Sequence, residues 1–221
     1  MSNLIIFGSS SHAKVVYWEA IKLKKFKVLG FVDDKKKKGE IIINYKKKNI
    51  YNLGPAKEII LDLEKNNIFF WGITGIGSNK IRKKIFKTVT KIKKDFNWAK
   101  VISSSAKVDT DVFIDEGSFI SSGVVIKNGT KINKHCLINT SSSVDHDNIF
   151  SDYSSCGPGT ITGGNVQIGE LSHIGIGSVI KENVKIDSNV MIGGNSFVNK
   201  DCKKNNLYFG SPAKIVKNLN N

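Results

Sequence analysis

Cysteine is scarce in this sequence, and its few positions lie far apart. Cys136, Cys156 and Cys202 are an odd number and form no CxxC or CxxH pair with the spacing of a structural zinc site. This spacing excludes a disulfide framework and a zinc ribbon. We therefore expect reduced thiols, most of them packed in the interior, and no metal.

Arginine is almost absent, although the chain is strongly basic. Arg82 is the only arginine, and lysine supplies nearly all of the net charge of +15. Proteins that read bases rely on the planar arginine fork, and no stripe of aromatic residues is interleaved with the lysines. The lysines are scattered through a chain rich in Ile and Asn, as translation of an A/T-rich genome would give. We expect no nucleic-acid partner, although the lysines could attract polyanionic small molecules.

Long apolar runs are also missing. No segment approaches the roughly 18 to 20 apolar residues that span a bilayer. The opening SNLIIFGSSSHAK has no basic start and only a short apolar run, so it does not have the pattern of a signal peptide. We expect a cytoplasmic protein with no membrane insertion.

What is present is a division into two patterns. Residues 1–98 alternate short apolar runs with stretches of helical period, which predicts a small parallel α/β unit of the Rossmann-like type. The ligand of such a unit lies at the carboxyl ends of its strands. The predicted elements are strand 4–8, helix 12–23, strand 27–34, strand 68–77 and helix 78–89.

Both predicted helices have apolar residues at helical spacing. Ser78 stands where the N-cap of the second helix is expected. The apolar positions are Val15, Val16, Ala20 and Leu23 in the first helix and Ile81, Ile85 and Val89 in the second.

From residue 100 the period changes to six. Seventeen hexads run from Ile102 to Val198 without a slip, and the repeated residue is Ile or Val in all but three of them. Small or β-branched residues come two positions earlier, where the chain would turn a corner. A six-residue repeat predicts a parallel β-helix in which three hexads form one triangular coil. Side chains three hexads apart then lie over one another.

The three exceptions to the aliphatic rule are consecutive: Phe150, Cys156 and Thr162. They directly follow His146, which stands between two acids in SSSVDHDNIFS. We interpret this departure as a place where function has overridden packing.

The hexads, together with the segments GSSSHA, FVDD, GIGSNKIRKK, INTSSSVDHD and GSPAK, resemble the bacterial sugar O-/N-acyltransferases of the PglD/NeuD type. The resemblance covers essentially the whole chain and implies that the β-helix is left-handed. It implies a nucleotide-sugar-binding domain at 1–98, an acyltransferase β-helix at 99–204 and a tail at 205–221 that contacts coenzyme A. Such proteins transfer acetyl from acetyl-CoA to nucleotide-linked amino sugars or to sialic acid, in bacterial glycan or lipopolysaccharide synthesis.

The resemblance also implies roles for individual residues. His146 matches the general base, and Asp147 matches the acidic residue that raises its basicity, whereas we expect no catalytic role for Asp145. The implied contacts of the nucleotide-linked amino sugar are Ser10, Ser11, His12, Asp33, Asp34 and Gly77, and those of acetyl-CoA are Ser155, Ile176, Gly194 and Lys214.

Two departures from the family pattern affect the binding residues. Ser11 and Ala13 stand where the family's opening turn often has glycine, and the β-carbon of Ser11 could narrow the approach of a phosphate. Ser155 stands where the family has a second histidine that contacts coenzyme A. These positions therefore bear on substrate identity and coenzyme A affinity.

The chemistry of acetyl transfer to an amine needs a base near neutral pH, because the attacking amine must lose a proton. A carboxylate on the other ring nitrogen fixes the tautomer of the histidine and stabilises the imidazolium. The thioester is already activated, so no acyl-enzyme is required. Cys136 and Cys156 are the rival nucleophiles, and both fall in the core register, where a buried thiol would be inert.

Other functions remain open from the residues alone. His135, His146 and His173 could be the zinc ligands of a prism-type carbonic anhydrase, although we expect His135 and His173 to be surface residues. A dinucleotide-binding sensor is disfavoured because GSSSHA lacks the G-x-G-x-x-G spacing. A structural or nucleotide-sugar-binding solenoid without turnover, and an O-acetyltransferase for sialic acid, are further alternatives. We expect a homotrimer in which neighbouring prisms form the clefts for both substrates.

Overall fold

The change of period near residue 100 corresponds to a change of architecture. In the computed structural model, which describes residues 1–220, the chain divides into an N-terminal unit, Met1–Val101, and a second unit that begins at Ile102. We call the second unit the prism. The longest described helix has 14 residues, and no helix among residues 1–220 is long and apolar enough to cross a bilayer.

The N-terminal unit is a five-stranded sheet with three helices. The strand order is β3-β4-β2-β1-β5, in which only β3 runs antiparallel to its neighbour. The elements are β1 Ser2–Phe7, α1 Ser11–Lys22, β2 Phe26–Val32, β3 Ile41–Tyr45, β4 Lys48–Gly54, α2 Ala56–Lys65, β5 Phe70–Thr74 and α3 Asn79–Ile92.

The central position of β1 determines where a ligand could bind. Because β1 lies between the parallel strands β2 and β5, the loops after Phe7, Val32 and Thr74 open at one edge of the sheet. This confirms the predicted α/β unit. The elements β3, β4 and α2 follow β2 and precede β5 along the chain, and they were not predicted from the sequence.

Two of the apolar residues at helical spacing, Val15 and Ile81, are exposed. Val15 is 41% exposed because α1 buries Ala13, Val16, Tyr17 and Ala20, on the opposite side of the helix. Ile81 is 48% exposed because α3 turns Val89 and the side chain of Arg82 inward instead. An apolar spacing alone therefore does not decide which side of a helix meets the sheet.

Within residues 1–220, seventeen two-residue strands build the prism, the first of which begins at Val101, and the second residue of each is the predicted inward position. These strands are β6 Val101–Ile102, β7 Lys107–Val108, β8 Phe113–Ile114, β9 Phe119–Ile120, β10 Val125–Ile126, β11 Lys131–Ile132, β12 Leu137–Ile138, β13 Ser143–Val144, β14 Ile149–Phe150, β15 Ser155–Cys156, β16 Ile161–Thr162, β17 Gln167–Ile168, β18 His173–Ile174, β19 Val179–Ile180, β20 Lys185–Ile186, β21 Met191–Ile192 and β22 Phe197–Val198.

These strands form the three faces of a left-handed parallel β-helix, as predicted. The first face contains β6-β9-β12-β15-β18-β21 and is extended by β23 Asn206–Phe209 and β24 Lys214–Asn218. The second face contains β7-β10-β13-β16-β19-β22, and the third contains β8-β11-β14-β17-β20. Each strand pairs with its equivalent one coil later, as Val144 of β13 pairs with Thr162 of β16.

The three exceptions to the aliphatic rule are nevertheless core residues. Phe150 and Cys156 are 0% exposed and Thr162 is 2% exposed, in the same column of buried side chains as their aliphatic equivalents. Packing is therefore not abandoned at these coils. What distinguishes Thr162 is its hydroxyl, which accepts a hydrogen bond from the backbone N–H of Asp145.

Candidate active site

His146 lies on the turn between β13 and β14, at the corner where the second face meets the third. Its Nδ1 is 2.8 Å from Oδ2 of Asp147, and both side chains are more than half exposed. A carboxylate can only accept, so Nδ1 carries the proton and Nε2 of the neutral ring keeps its lone pair. Nε2 has no hydrogen-bond partner among residues 1–220 and is the nitrogen available to a substrate.

The two acids beside His146 both affect its basicity. The hydrogen bond to Asp147 is the main cause that raises the pKa of His146, and the charges of Asp145 and Asp147 act in the same direction. Asp145 also accepts the backbone N–H of His146 at Oδ1, over 2.8 Å. Asp145 therefore shapes the turn and contributes to its electrostatics.

The backbone of this turn suits a carboxylate at position 147. Asp147 has φ +56°, in the left-handed region that Gly, Asn and Asp adopt most readily. The equivalent residues of neighbouring coils are Gly129, Asn165 and Asn183, all with positive φ. The corner thus accepts an acidic residue without a change in the path of the chain.

Polar side chains from three coils hold the turn from beneath. The hydroxyl of Thr130 and the amide of Asn148 both donate to the carbonyl of Asp145, over 2.9 and 2.7 Å, and Asn148 also donates to the carbonyl of His146. The hydroxyl of Thr162 accepts the N–H of Asp145 over 3.3 Å. Through this hydrogen bond, Thr162, the polar residue at an inward core position, helps to hold the turn that carries His146.

Two glycines leave room for the pair of side chains. A β-carbon added to Gly164 would lie 2.5 Å from Cε1 and Nε2 of His146, so the imidazole rests over this glycine of the next coil. A β-carbon on Gly129, one coil earlier, would lie 2.2 Å from Oδ1 of Asp147. Neither glycine was predicted from the sequence, nor were Thr130 and Asn148, although each glycine stands one full coil from a member of the pair.

A second group of candidate residues lies at the carboxyl edge of the N-terminal sheet. The hydroxyl of Ser9 donates to Oδ2 of Asp33 over 2.6 Å, which joins the ends of β1 and β2. The amide of Asn52 accepts the N–H of Asp33 and donates to its carbonyl, over 3.0 and 3.1 Å. Ser9 and Asn52 are buried, and neither was predicted from the sequence.

The remaining predicted residues of this edge differ in exposure and partners. Ser10 and Ser11 are exposed at the beginning of α1, and the side chain of Ser10 makes no capping hydrogen bond. The first turn of α1 therefore presents backbone N–H groups in the way that favours an anion. Asp34 accepts the N–H of Ala56 at the beginning of α2, over 3.1 Å.

His12 lies close to the single arginine of the chain. Burial, and the positive charge of Arg82, lower the pKa of His12 to about 4, so His12 is neutral at physiological pH. The guanidinium of Arg82 is buried and donates to the carbonyls of Ile76 and Gly77, over 3.3 and 2.9 Å. Arg82 thereby holds the loop after β5, a role that was not predicted from the sequence.

The residues predicted to contact acetyl-CoA lie on or beside the first face. Ser155 is fully buried and its hydroxyl is 2.8 Å from Nδ1 of His173, the equivalent residue one coil later. His173 is only partly buried and reaches the surface where Ser155 does not. Ile176 and Gly194 lie at the corner between the first and second faces, and Lys214 is exposed on β24.

His135 is not the surface residue that we expected. It is 0% exposed and stacks on Tyr153, with ring centroids 5.4 Å apart. Among residues 1–220, no group of three His, Cys, Asp or Glu side chains could hold a metal ion. The buried position of His135 disfavours the three-histidine zinc site of the carbonic anhydrase alternative.

The cysteines are buried, as expected. Burial raises the pKa of Cys156, and it raises the pKa of Cys202 to about 12. The thiol of Cys136 donates to the carbonyl of Ser151 over 3.2 Å. A thiol that stays protonated and enclosed is a poor nucleophile, which disfavours both cysteine alternatives.

Comparisons with known proteins match both parts of the chain. A family model described as the PglD N-terminal domain matches residues 3–89, and one described as the bacterial transferase hexapeptide (six repeats) matches residues 165–200. The acetyltransferase domain of PglB from Neisseria gonorrhoeae FA1090 is 25% identical, with a TM-score of 0.85 over 98% of this chain and 100% of that one.

Two further solved structures are similar over the same length. PerB from Caulobacter crescentus, in complex with CoA and GDP-perosamine, is 25% identical, with a TM-score of 0.86 over 98% of each chain. WeeI from Acinetobacter baumannii AYE shares the fold at 22% identity, with a TM-score of 0.81 over 98% of this chain and 100% of that one. The matches confirm the resemblance to PglD-type sugar acyltransferases and identify the chain as an acyltransferase.

Proposed function

We propose that the chain transfers acetyl from acetyl-CoA to the amine of a nucleotide-activated amino sugar of the 4-amino-4,6-dideoxyhexose type, in bacterial surface glycan synthesis. The observation that carries the proposal is the exposed His146–Asp147 pair on a hexapeptide prism, with Nε2 of the histidine available to a substrate. The similar Caulobacter crescentus GDP-perosamine N-acetyl transferase was solved with CoA and GDP-perosamine. We place the reaction in the cytoplasm, where acetyl-CoA is made.

In this mechanism, His146 acts as the general base. The sugar amine attacks the thioester carbonyl, and Nε2 of His146 takes a proton from the attacking nitrogen. The Asp147 carboxylate stabilises the imidazolium through its bond to Nδ1. The tetrahedral intermediate then expels the coenzyme A thiolate, which takes up a proton, and the amide product forms without an acyl-enzyme.

We place the nucleotide at the carboxyl edge of the N-terminal sheet. The exposed beginning of α1 at Ser10 and Ser11 would receive phosphate, with neutral His12 beside it. Asp33, Asp34 and Gly77 lie on the two adjoining loops and would contact the ribose, base or sugar. This assignment gives residues 1–98 the role of acceptor domain.

Acetyl-CoA would lie along the prism. Ile176 is 60% exposed at a corner of the prism, which leaves an apolar side chain for the pantetheine arm to cover. Gly194 lies one coil beyond it, and the ammonium of Lys214 would face a phosphate. Buried Ser155 would act through His173, which occupies the surface beside it. Residues 99–204 and the tail 205–221 would thus form the donor site.

The second face of the prism supports a homotrimer. Its outward residues Ile161, Val179 and Phe197 pair in register and are each more than one third exposed, so they form an apolar ladder. One edge of this face carries His146 and the other carries Ile176. A neighbouring copy packed on the ladder would cover apolar surface and stand beside both sites. Light scattering that shows a stable, fully active monomer would contradict this arrangement.

The deciding experiment is a thiol-release assay with acetyl-CoA and a panel of UDP-, GDP- and dTDP-linked amino sugars and free sialic acid. We expect turnover with an amino sugar nucleotide and a loss of about 10² to 10⁴ in rate for His146→Ala. Transfer at a near wild-type rate by this variant would show that the base is assigned wrongly. Turnover with sialic acid alone would instead favour the O-acetyltransferase alternative, and no turnover with any acceptor would favour a binding protein.

A further inference from the structure

The net charge of the chain is confined to one of its two units. Residues 1–101 hold 23 of the 34 basic residues and 8 of the 19 acidic ones, a net charge of +15. The rest of the sequence holds 11 of each and is neutral. Lysines occur in both units, but only the N-terminal unit has an excess of them over acidic residues, which composition bias alone would not produce. Such asymmetry points to an anionic partner for the N-terminal unit.

Within this unit, the lysines of α3 lie on one side of the helix. All five fall within about 100° of the helix circumference and extend over about 16 Å along its axis. The opposite side of the helix carries the buried Arg82 and Val89. We call this surface the lysine face; with Thr88 it lines a shallow depression, and its lysines are Lys80, Lys83, Lys84, Lys87 and Lys91.

Four of the five lysines of the lysine face are not neutralised within the part of the chain that the structure describes. Lys80, Lys84, Lys87 and Lys91 form no ion pair among residues 1–220, and the first turn of α3 contains no acidic residue. Lys80 and Lys84, and Lys87 and Lys91, are like-charge pairs at i,i+4, which oppose helix stability. A cation near the beginning of a helix also opposes the macrodipole. An external anion would relieve both effects.

We propose that the lysine face docks the protein on a membrane surface that contains anionic lipids. Clustered lysines on one side of a helix suit a diffuse layer of lipid phosphates, to which each contributes as a point charge. A nucleic-acid partner is disfavoured because the only arginine is buried against backbone carbonyls and no aromatic residue lines the face. The proposal does not depend on the acetyl-transfer reaction.

The test is co-sedimentation of the full chain with vesicles of phosphatidylcholine that contain roughly one third phosphatidylglycerol. We expect binding to these vesicles and none to pure phosphatidylcholine, with loss of binding when salt is raised from about 0.1 M to about 0.5 M. The variant with Lys80, Lys84, Lys87 and Lys91 changed to Gln should bind about 100-fold more weakly. Absence of wild-type binding would overturn the proposal.

A matched control removes the same charge elsewhere in the unit. The residues changed to Gln are exposed and form no ion pair within the described chain: Lys24, Lys27, Lys57 and Lys65. We expect this variant to bind within about threefold of wild type, because the attraction depends on the clustered face. Equal losses in the two variants would show that net charge alone matters and would overturn the docking face.

A second measurement needs no variant and so does not depend on the folding of one. Acetic anhydride labelling with and without vesicles should show protection of Lys80, Lys84, Lys87 and Lys91 but not of Lys24 or Lys57. Uniform labelling would contradict the proposal. Tighter binding to single-stranded RNA than to the vesicles at the same ionic strength would overturn the proposal and identify a nucleic acid as the partner of the lysine face.

Discussion

The N-terminal unit and the prism build their candidate sites in different ways. In the prism, His146, Asp147 and the residues that support them occupy one corner and the same corner of the adjoining coils, so the site follows from the coil register. In the N-terminal unit, the loops after three strands are joined by side-chain hydrogen bonds such as that from Ser9 to Asp33. No local spacing in the sequence predicts these bonds. A repeat converts sequence distance into spatial distance, whereas a wound sheet does so only after its strand order is known.

The largest effect on stability should come from the core of either region. Phe150 and Phe31 are both fully buried, one in the prism and one in the N-terminal unit. Replacing either with Ala should lower the free energy of unfolding by about 3 to 5 kcal/mol, measured by urea denaturation. For Phe150→Ala, hydrogen exchange should quicken first in the adjoining coils, because solenoid contacts are nearest-neighbour. Uniform quickening along the prism would contradict this local response.

The next effect concerns the pH dependence of acetyl transfer. His146 must be neutral to act as a base, so the rate should rise with pH through its raised pKa. Asp147→Asn keeps a residue that tolerates positive φ but removes the main cause of the raised pKa. The acidic limb of the pH profile of kcat/KM should therefore move to lower pH. The rate loss of Asp147→Asn should be smaller than the loss of roughly 10² to 10⁴ expected for His146→Ala. An unmoved limb would contradict the role of Asp147.

A smaller effect should come from Gly164, which we assign as a positioning residue. Its φ is not in the left-handed region, so Gly164→Ala keeps an allowed backbone but forces the imidazole of His146 from its place. We expect kcat to fall by about tenfold with little change in KM for acetyl-CoA, since a displaced base costs rate and not binding. The same change made in His146→Ala should have no further effect. An equal loss in both backgrounds would show a merely structural role.

A further effect distinguishes the histidines of the two regions. His12 has its pKa lowered from 6.5 to about 4, so below pH 6.5 the unfolded chain binds a proton that the folded chain does not. The free energy of unfolding should therefore decrease as the pH is lowered from 6.5 towards 4, by about 1.4 kcal/mol per pH unit. His146 is shifted in the opposite direction and should not contribute to this loss. Urea unfolding of His12→Asn should show a flatter pH dependence, and an unchanged one would contradict the buried, neutral His12.

The sequence predicted much of the prism site and less of the N-terminal one. Because the register is constant, His146 and Asp147 could be placed at an outer corner, and Gly129 and Gly164 could have been found by counting three hexads from them. Tyr153, on which the buried His135 stacks, could have been found in the same way, since it stands three hexads after His135. In the N-terminal unit, Asn52 lies on β4, within a segment for which the sequence pattern gave no prediction.

By itself, the sequence determined the inward residue of all seventeen prism strands, because a six-residue period leaves one side chain per strand facing the core. It also determined the change to an α/β unit before residue 100. Only the tertiary structure decided which sides of α1 and α3 are buried and which loops Arg82 and Asn52 hold. These features depend on how helices and loops meet a sheet, and that is a matter of packing between distant segments and not of local period.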